Sequence, residues 1–407
     1  MVRPQREETQ AALLNISIGG TDMFSMEKGE VTSDKRAINL KELVVEQKLD
    51  SPDYFRIRYV AQELGKRIDL AAMKQGAEVG IHIGYDEAKP LFTGEVSYIN
   101  AGFGSKLDSS VEIGGFDKLH RLTRGKESRT WGDAHMIPAD HASVLEEVIT
   151  QSGPTEAAGD DGLAFSMEAE QSRSEAYLPQ YNENNYQFIR RLGADDNQPF
   201  DMNSSTDPST ITYGKPEEPP SPFLTVCFDK VADDQSIRGE RINFRASTVR
   251  QVSKVVVRGW DPNKKKTIIG TAQQPSVSYG VTAGHEVAGQ AYWGATNAGK
   301  VHIINDHPVF SVEEASALAQ SVFDQLSMDF VTGDCEILGT PELRPGMFVG
   351  FRGYGDQFDG TYLVTEVSHV FMPGIINYQT TFSFARNGAN GMVDEVASGA
   401  GGKSVVA

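Results

Sequence analysis

The stretch 343–387, near the end of the chain, constrains the fold most. It reads LRPGMFVGFRGYGDQFDGTYLVTEVSHVFMPGIINYQTTFSFARN. Pro345-Gly346 is a turn signal ahead of a strand-like run from Met347 to Phe351. The loop 353–360 leads into a longer run, Thr361 to Phe371, and Pro373-Gly374 turns the chain again. In the last run Tyr378, Phe382 and Phe384 point one way, while Gln379, Thr381 and Ser383 point the other. Side chains flip at every residue of a strand, so this alternation puts one face in a core and one in water. Three such strands joined by short turns predict an antiparallel meander with one wet face.

A similar pattern lies far upstream. Val79-Gly80 precedes Gly84-Tyr85 and Asp86, and Phe92-Thr93-Gly94 opens the next run. Downstream, Val349-Gly350 precedes Gly353-Tyr354 and Asp356, and Phe358-Asp359-Gly360 opens the next run. Turn chemistry alone makes β-meanders look alike, and the shared order is equally what a duplicated β-module predicts.

At 407 residues the chain has room for two or three domains with ordinary cores. Charged residues make up 23% and no run reaches about 18 apolar residues, which predicts a soluble protein without membrane insertion. MVRPQREETQAALL lacks the apolar segment of a secretory signal. Cys227 and Cys335 are the only cysteines, too few for a disulfide framework or a cysteine-only zinc site. A net charge of −18 would repel a phosphate backbone, which argues against nucleic acid as a partner.

Taken in order, strands are expected at Leu13–Gly19, Leu43–Leu49 and Asp53–Val60. In the last of these Phe55, Ile57 and Tyr59 alternate with Arg56 and Arg58. Val79–Tyr85 and Phe92–Ile99 read as a hairpin-like pair, and Ser110–Gly114 and Lys118–Thr123 complete the set. About seven short strands in ~110 residues argue for a barrel or sandwich. After Arg124 the texture changes. Asp140 caps an expected short helix, 140–149, and 153–162 is an acidic loop. A helix is expected over 179–193, with Asn182 or Asn184 as its cap, Tyr186, Ile189 and Leu192 facing in, and Gly193 ending it. Residues 195–222 read as a polar, Pro-containing connector. Strands resume at Phe223–Phe228 and Val252–Trp260, and Lys264-Lys265-Lys266 reads as a loop tip. Ser311-Val-Glu-Glu is a capping box that starts the best helix, with Ala315, Leu318, Ala319, Val322, Phe323 and Leu326 at helical spacing. The last twenty residues, dominated by Gly, Ala and Ser, read as a flexible extension.

Catalytic templates fail one after another. Gly294–Lys300 matches the first seven positions of a P-loop, but Val301 replaces the magnesium-binding Ser or Thr and no apolar strand precedes it. Asp133, His135, Asp140 and His141 cluster without zinc spacing. Asp195-Asp196-Asn197 lacks the glycine and the later Glu of a calcium loop. No G-x-S-x-G elbow occurs, and Asp160-Asp161 reads as solvated loop charge. Trp131, Trp260 and Trp293 read as core or interface residues. No catalytic, cofactor-binding or metal residue is assigned.

Four stretches, in order, resemble the baseplate hub family of contractile injection machines. This is the phage late control protein D-like family, shared with the hub portion of the type VI secretion spike protein. The stretches are GFDKLHRLTRG from Gly115, YLPQYNENNYQFIRRL from Tyr177, VVVRGWDP from Val255 with IGTA from Ile269, and the closing meander, 345–384. The resemblance implies a mainly β fold with an α+β insertion, and two similar antiparallel β-barrel modules per chain in a trimeric ring. The expected division is 11–124 for the first barrel, 125–310 for the insertion, 311–387 for a helix plus the second barrel, and 388–407 for the tail. The implied role is that of a non-enzymatic homotrimer matching a hexameric inner tube to a trimeric spike, in contact with other baseplate components. No OB-fold or β-helix needle follows the last hub strand, so the spike is expected on a separate chain. Assembly is expected in the cytoplasm, as part of a phage-tail-like particle. The competing readings are a tail-associated cell-wall hydrolase and a receptor- or glycan-binding tail-tip protein.

Overall fold

The computed structural model describes residues 12–27, 30–31, 38–61, 73–104, 109–132, 139–150, 163–167, 174–175, 177–196, 198–203, 210–214, 221–228, 236–261, 264–280, 282–289 and 299–389. Fifteen of their strands form one continuous sheet. The N-terminal part supplies β1 (Leu13–Ile18), β2 (Thr21–Glu27), β3 (Glu30–Val31), β4 (Ile38–Lys48), β5 (Tyr54–Ala61), β6 (Glu78–Gly84), β7 (Lys89–Gly102) and β8 (Ser110–Phe116). The C-terminal part supplies β9 (Leu224–Cys227), β10 (Ser236–Arg238), β11 (Arg241–Ala246), β12 (Val331–Leu338), β13 (Phe348–Arg352), β14 (Gly360–Met372) and β15 (Ile376–Arg386). The expected closing meander is present as β13, β14 and β15, with Tyr378, Phe382 and Phe384 buried.

The two parts repeat one topology. The first lobe runs β4-β5-β8-β7-β6, every ladder antiparallel. The second runs β11-β12-β15-β14-β13, again antiparallel throughout. The repeat extends to irregularities. The β7–β8 register slips between Val96 and Tyr98, and the β14–β15 register slips between Val364 and Glu366. Just before each slip a glycine at positive φ, Gly76 (78°) or Gly346 (82°), donates its N–H to the carbonyl of Val96 or Val364 at 2.8 Å. Only glycine takes that backbone conformation cheaply. The lobes diverge at the next position, where β1 joins β6 antiparallel but β9 joins β13 parallel. The sequence match is correct at Val79-Gly80 and Val349-Gly350, but its Phe-x-Gly half is out of register. Gly94 pairs with Val79, whereas Tyr362 pairs with Val349 and Gly360 with Phe351. The β6–β7 and β13–β14 connections differ in length, and that shifts the motif.

Each lobe has its own core. Leu14, Ile16, Leu43, Val45, Phe55 and Ile113 are among the buried residues of the first, and Val226, Val331, Phe351, Tyr362, Phe382 and Phe384 of the second. Each large apolar side chain so buried contributes roughly 1.5–3 kcal/mol. Leu224 and Val226 belong to this second core although they lie within the stretch expected as insertion. β14 joins the lobes. Its first residues pair with β13 (Phe351↔Gly360 to Phe348↔Leu363), and the same strand then pairs with β4, from Glu366↔Lys48 to Phe371↔Leu43. Phe371 and Tyr378 thereby enter the first lobe's core.

The insertion between the lobes packs α1 (His141–Thr150) and α2 (Asn185–Asp196) around Leu145, Phe188, Leu192, Phe200 and Tyr213. The strand 254–261, flanked by 266–272 and 301–304, packs Val255 and Val257, with Ile268 of the flanking strand, against α3 (Val312–Met328). Ser311 Oγ accepts the Glu314 N–H at 3.0 Å, and the Glu314 carboxylate reaches back to the Phe310 N–H at 2.6 Å.

Three local expectations are corrected. Lys118–Thr123 is a 3-10 turn and not a strand, because Asp117 Oδ1 accepts the Leu119 N–H at 3.0 Å and starts a tight coil. The expected helix over 179–193 begins only at Asn185. Its first part is a strand, Leu178–Glu183, paired with Glu127–Trp131, and Asn184 caps the helix through the Gln187 N–H (2.7 Å). Gly193 does not end that helix. It is buried inside, against the Gln198 carbonyl, and the helix runs on to Asp196. The acidic loop 153–162 and the tail beyond 389 lie outside the described residues.

Candidate functional site

The candidate site is the outward face of the curled sheet, opposite the two cores. In the first lobe the inward alternation of Leu43, Val45, Phe55 and Ile57 turns Glu42, Arg56 and Arg58 outward. Arg56 reaches Glu42 at 3.2 Å, and Arg58 lies between Glu42 (3.9 Å) and Glu112 (2.9 Å). Asn100 also donates to Glu112, at 3.4 Å, and the Tyr54 and Tyr98 hydroxyls meet at 2.7 Å. The Arg58 hydrogen bond holds the Glu112 carboxyl below its ordinary range. Burial, and then the bond to Tyr54, pushes the Tyr98 hydroxyl up.

The second lobe carries the same geometry with the charges exchanged. Arg58 lies across from Glu42 and from Glu112. At the corresponding place Glu336 lies across from Arg241 and from Thr381. Asp334, which takes the place of Arg56, accepts from Asn243 at 2.8 Å. At the junction Lys48 and Glu366 stand 3.5 Å apart. Exposed pairs of this kind contribute little stability individually. Their arrangement makes a polar surface of paired charges.

The segment from Gly115 anchors this face. Asp117 accepts the N–H groups of Asp53 and Leu119, each at 3.0 Å, and Arg121 pairs with Glu95. Burial alone would raise the Glu95 carboxyl. The Arg121 hydrogen bond, with the charges of Arg121, His120 and Arg124, outweighs it and holds the group below its ordinary value.

Of the residues singled out by motif, only His141 and Asp196 are seen to meet among the described residues. Asp133, His135, Asp160, Asp161, Asn197, Trp293 and positions 294–298 lie outside the described residues. Lys300 donates to the Val249 carbonyl at 3.0 Å, and Val301 begins a strand. Asp140 caps α1 through the Ser143 N–H at 3.1 Å. His141 and Asp196 do meet, at 2.7 Å, and Asp196 also accepts from the Tyr213 hydroxyl at 2.9 Å. This contact ties α1 to the end of α2, and chain reading missed it because 55 residues separate the partners. Trp131 stacks on Phe188 (5.1 Å), while Trp260 is exposed. Both cysteines are buried and free. Among the described residues, no group of three or more His, Cys, Asp or Glu is placed to hold a metal ion, and no helix is long and apolar enough to cross a membrane. A cavity of ≈ 380 Å³ opens where α2, α3 and β14 meet, with Asp50 and Asp324 in its lining. Both carboxylates accept backbone N–H groups, from Phe200 and Ser276, at 2.8 Å.

No curated protein matches the sequence. Among solved structures the chain is similar to the 43 kDa tail protein of prophage MuSo2 from Shewanella oneidensis, at 10% identity and TM-score 0.66, over 93% of this chain and 99% of that one. It is similar to a tail protein from Neisseria meningitidis at 11% identity and TM-score 0.62, over 93% and 97%. A third is an E. coli component of the type VI secretion system with structural similarity to the T4 tail proteins gp27 and gp5, at 12% identity and TM-score 0.54, over 91% and 76%. At such identities the likeness is one of fold, and it agrees with the hub resemblance in the sequence. The sequence model described as Alg8 N-terminal domain matches residues 65–372, more than half of the chain, and the protein belongs to that family.

Proposed function

We propose that this protein is the structural hub of a contractile, phage-tail-like injection machine. It acts as a homotrimer between a hexameric inner tube and a separate trimeric spike, beside other baseplate components. The single observation that carries this reading is the repeated topology. One chain contributes two lobes with the same five-strand order and one register slip at the same point of each. Three copies then offer six near-equivalent lobes toward a sixfold tube and three identical insertions toward a threefold tip. On this reading the first barrel module is residues 11–124, and the second combines 224–246 with 311–387. The tail-protein fold and the charge-paired outward face support a scaffolding role without catalysis, assembled in the cytoplasm into the particle.

Mass measurement in solution tests the oligomer. A species of three times 44.4 kDa is expected, and a monomer under all conditions overturns the reading. Electron microscopy of the protein mixed with tube and spike chains tests the adaptor role. Six lobes stacked under a sixfold ring are expected, and a particle that binds neither partner refutes the role.

A further inference from the structure

We infer that the cavity where α2, α3 and β14 meet is a socket for this chain's own segment 390–396, which folds back from the end of the second lobe and braces the insertion against it. The contact lies within one chain and does not depend on the homotrimer reading.

The socket is walled by apolar groups whose polar neighbours are already engaged. Leu49, Pro199, Val277, Met328 and Leu363 line its ≈ 380 Å³. That is room for roughly a dozen waters at about 30 Å³ each. Val277 is 41% exposed, an aliphatic side chain left in water at the cavity wall. Asp50 accepts the Phe200 N–H at 2.8 Å. Asp324 accepts the Ser276 N–H at 2.8 Å and the Gln320 amide at 2.9 Å. Asn387 accepts the Tyr279 N–H at 2.8 Å and donates to the Val277 carbonyl at 2.6 Å. A polar ligand would compete with these bonds, whereas an apolar side chain only displaces water from the wall.

The fold delivers such an occupant to the mouth. Asn387, the residue after β15, lines the cavity, and its carbonyl accepts the Gly284 N–H at 2.8 Å. Gly388 and Ala389 then pair with Ala283 and Thr282. These contacts fix the point from which residue 390 sets out, and the sequence there reads Asn390-Gly-Met-Val-Asp-Glu-Val396. At up to about 3.5 Å per residue, Met392 can stand about 10 Å from Ala389 and Val396 roughly 20 Å. Between 390 and 404, Met392, Val393 and Val396 are the only apolar residues larger than alanine. A methionine, unbranched and flexible, suits an irregular gap. Asp394 and Glu395, between the apolar residues, would stay at the surface, where the exposed Arg190 of α2 belongs to the same lining and carries the opposite charge. Because α2 belongs to the insertion and β14 to the lobes, a filled socket joins the two.

Thiol protection in the full chain tests this. Val277→Cys places a reporter on the wall at a position already exposed, and the native Cys227 and Cys335 are buried. A socket filled about nine-tenths of the time leaves the thiol open about one-tenth of it. Maleimide labelling of Val277→Cys is therefore expected to be roughly tenfold slower than in the same protein carrying Met392→Ser, Val393→Ser and Val396→Ser. Val277→Cys with Met392→Cys is expected to form a disulfide inside one chain on oxidation, with no rise in mass. That second arm does not depend on the serine variant. Equal labelling rates with and without the serine changes overturn the inference. Links formed only between chains assign the socket to a neighbouring copy's segment and overturn it equally.

Discussion

Gly333 lies directly across the β12–β15 ladder from Phe384, whose ring fills the space that a Cβ on Gly333 would occupy. In the first lobe the same cross-strand position holds Phe55 opposite Gly115. The aromatic ring has changed strands between the lobes, and the glycine has changed with it. Gly333→Ala is expected to destabilise the protein by about 1–3 kcal/mol through overpacking. The Asn243 carbonyl also stands against that space, so removing the Phe384 ring would not relieve the clash. Urea unfolding of the wild-type protein and the variant measures the loss.

His369 sits on β14 at the junction, fully enclosed, with Tyr378 Oη at 2.9 Å and Thr380 Oγ1 at 3.1 Å from its Nδ1. Burial, with the nearby Arg344 charge, lowers its pKa from 6.5 to about 3. The folded state therefore holds a neutral ring while the unfolded chain takes up a proton. Stability is full above pH 6.5 and declines as pH falls toward 3, with about 2 kcal/mol lost by pH 5. His369→Gln is expected to flatten that slope between pH 7 and 5. An unchanged slope would show that another group controls it.

The guanidinium of Arg386 is buried above the Tyr362 ring, 4.2 Å from its centroid, and donates to the carbonyls of Asp359 (2.9 Å) and Gln357 (3.0 Å). It pins the 353–360 loop to the end of β15. Arg386→Ala is expected to cost about 3 kcal/mol, because two carbonyl partners and a desolvated ring contact go together. Arg386→Lys keeps the charge without the two-pronged geometry and is expected to restore less than half. Proteolysis within 353–360, faster in both variants, reports the loop directly.

Glu95 and Arg121 tie β7 to the turn after β8. The Glu95 carboxyl is held below its ordinary 4.5, so its contribution is present above that pH and is lost as pH falls through the lowered value. Glu95→Gln is expected to lower stability by about 1 kcal/mol at pH 7, discounted for partial exposure, and by much less at pH 3. Acid titration of both proteins, followed by circular dichroism, distinguishes this from the His369 effect, which sets in at higher pH.

The closing meander was legible because Tyr378, Phe382 and Phe384 are large, apolar and two or four residues apart. β12 escaped notice because its inward positions are Val331, Gly333, Cys335 and Ile337, and two of these four carry no strong apolar signal. Gly333 is small because the Asn243 carbonyl and the Phe384 ring fill the space a side chain would need, a reason visible in space and not along the chain. Lys118–Thr123 was misread because Leu119 and Leu122, three apart, also suit a tight coil once Asp117 caps it. The outward face was half legible. Alternation exposed Arg56 and Arg58, but the Glu112 that Arg58 meets is 54 residues away, and only the β5–β8 ladder brings them together. The junction between the lobes had no local signature, since β14 looks like any long strand until its edge is divided between β13 and β4.

That divided edge has a mechanical corollary. With one unbroken strand hydrogen-bonded to both halves, there is no hinge at which they can swing apart, and a push on either half is carried through peptide bonds into the other. In the role proposed above, the subunit would move as a stiff plate when the machine fires, and calorimetry should register the two halves melting together in a single step.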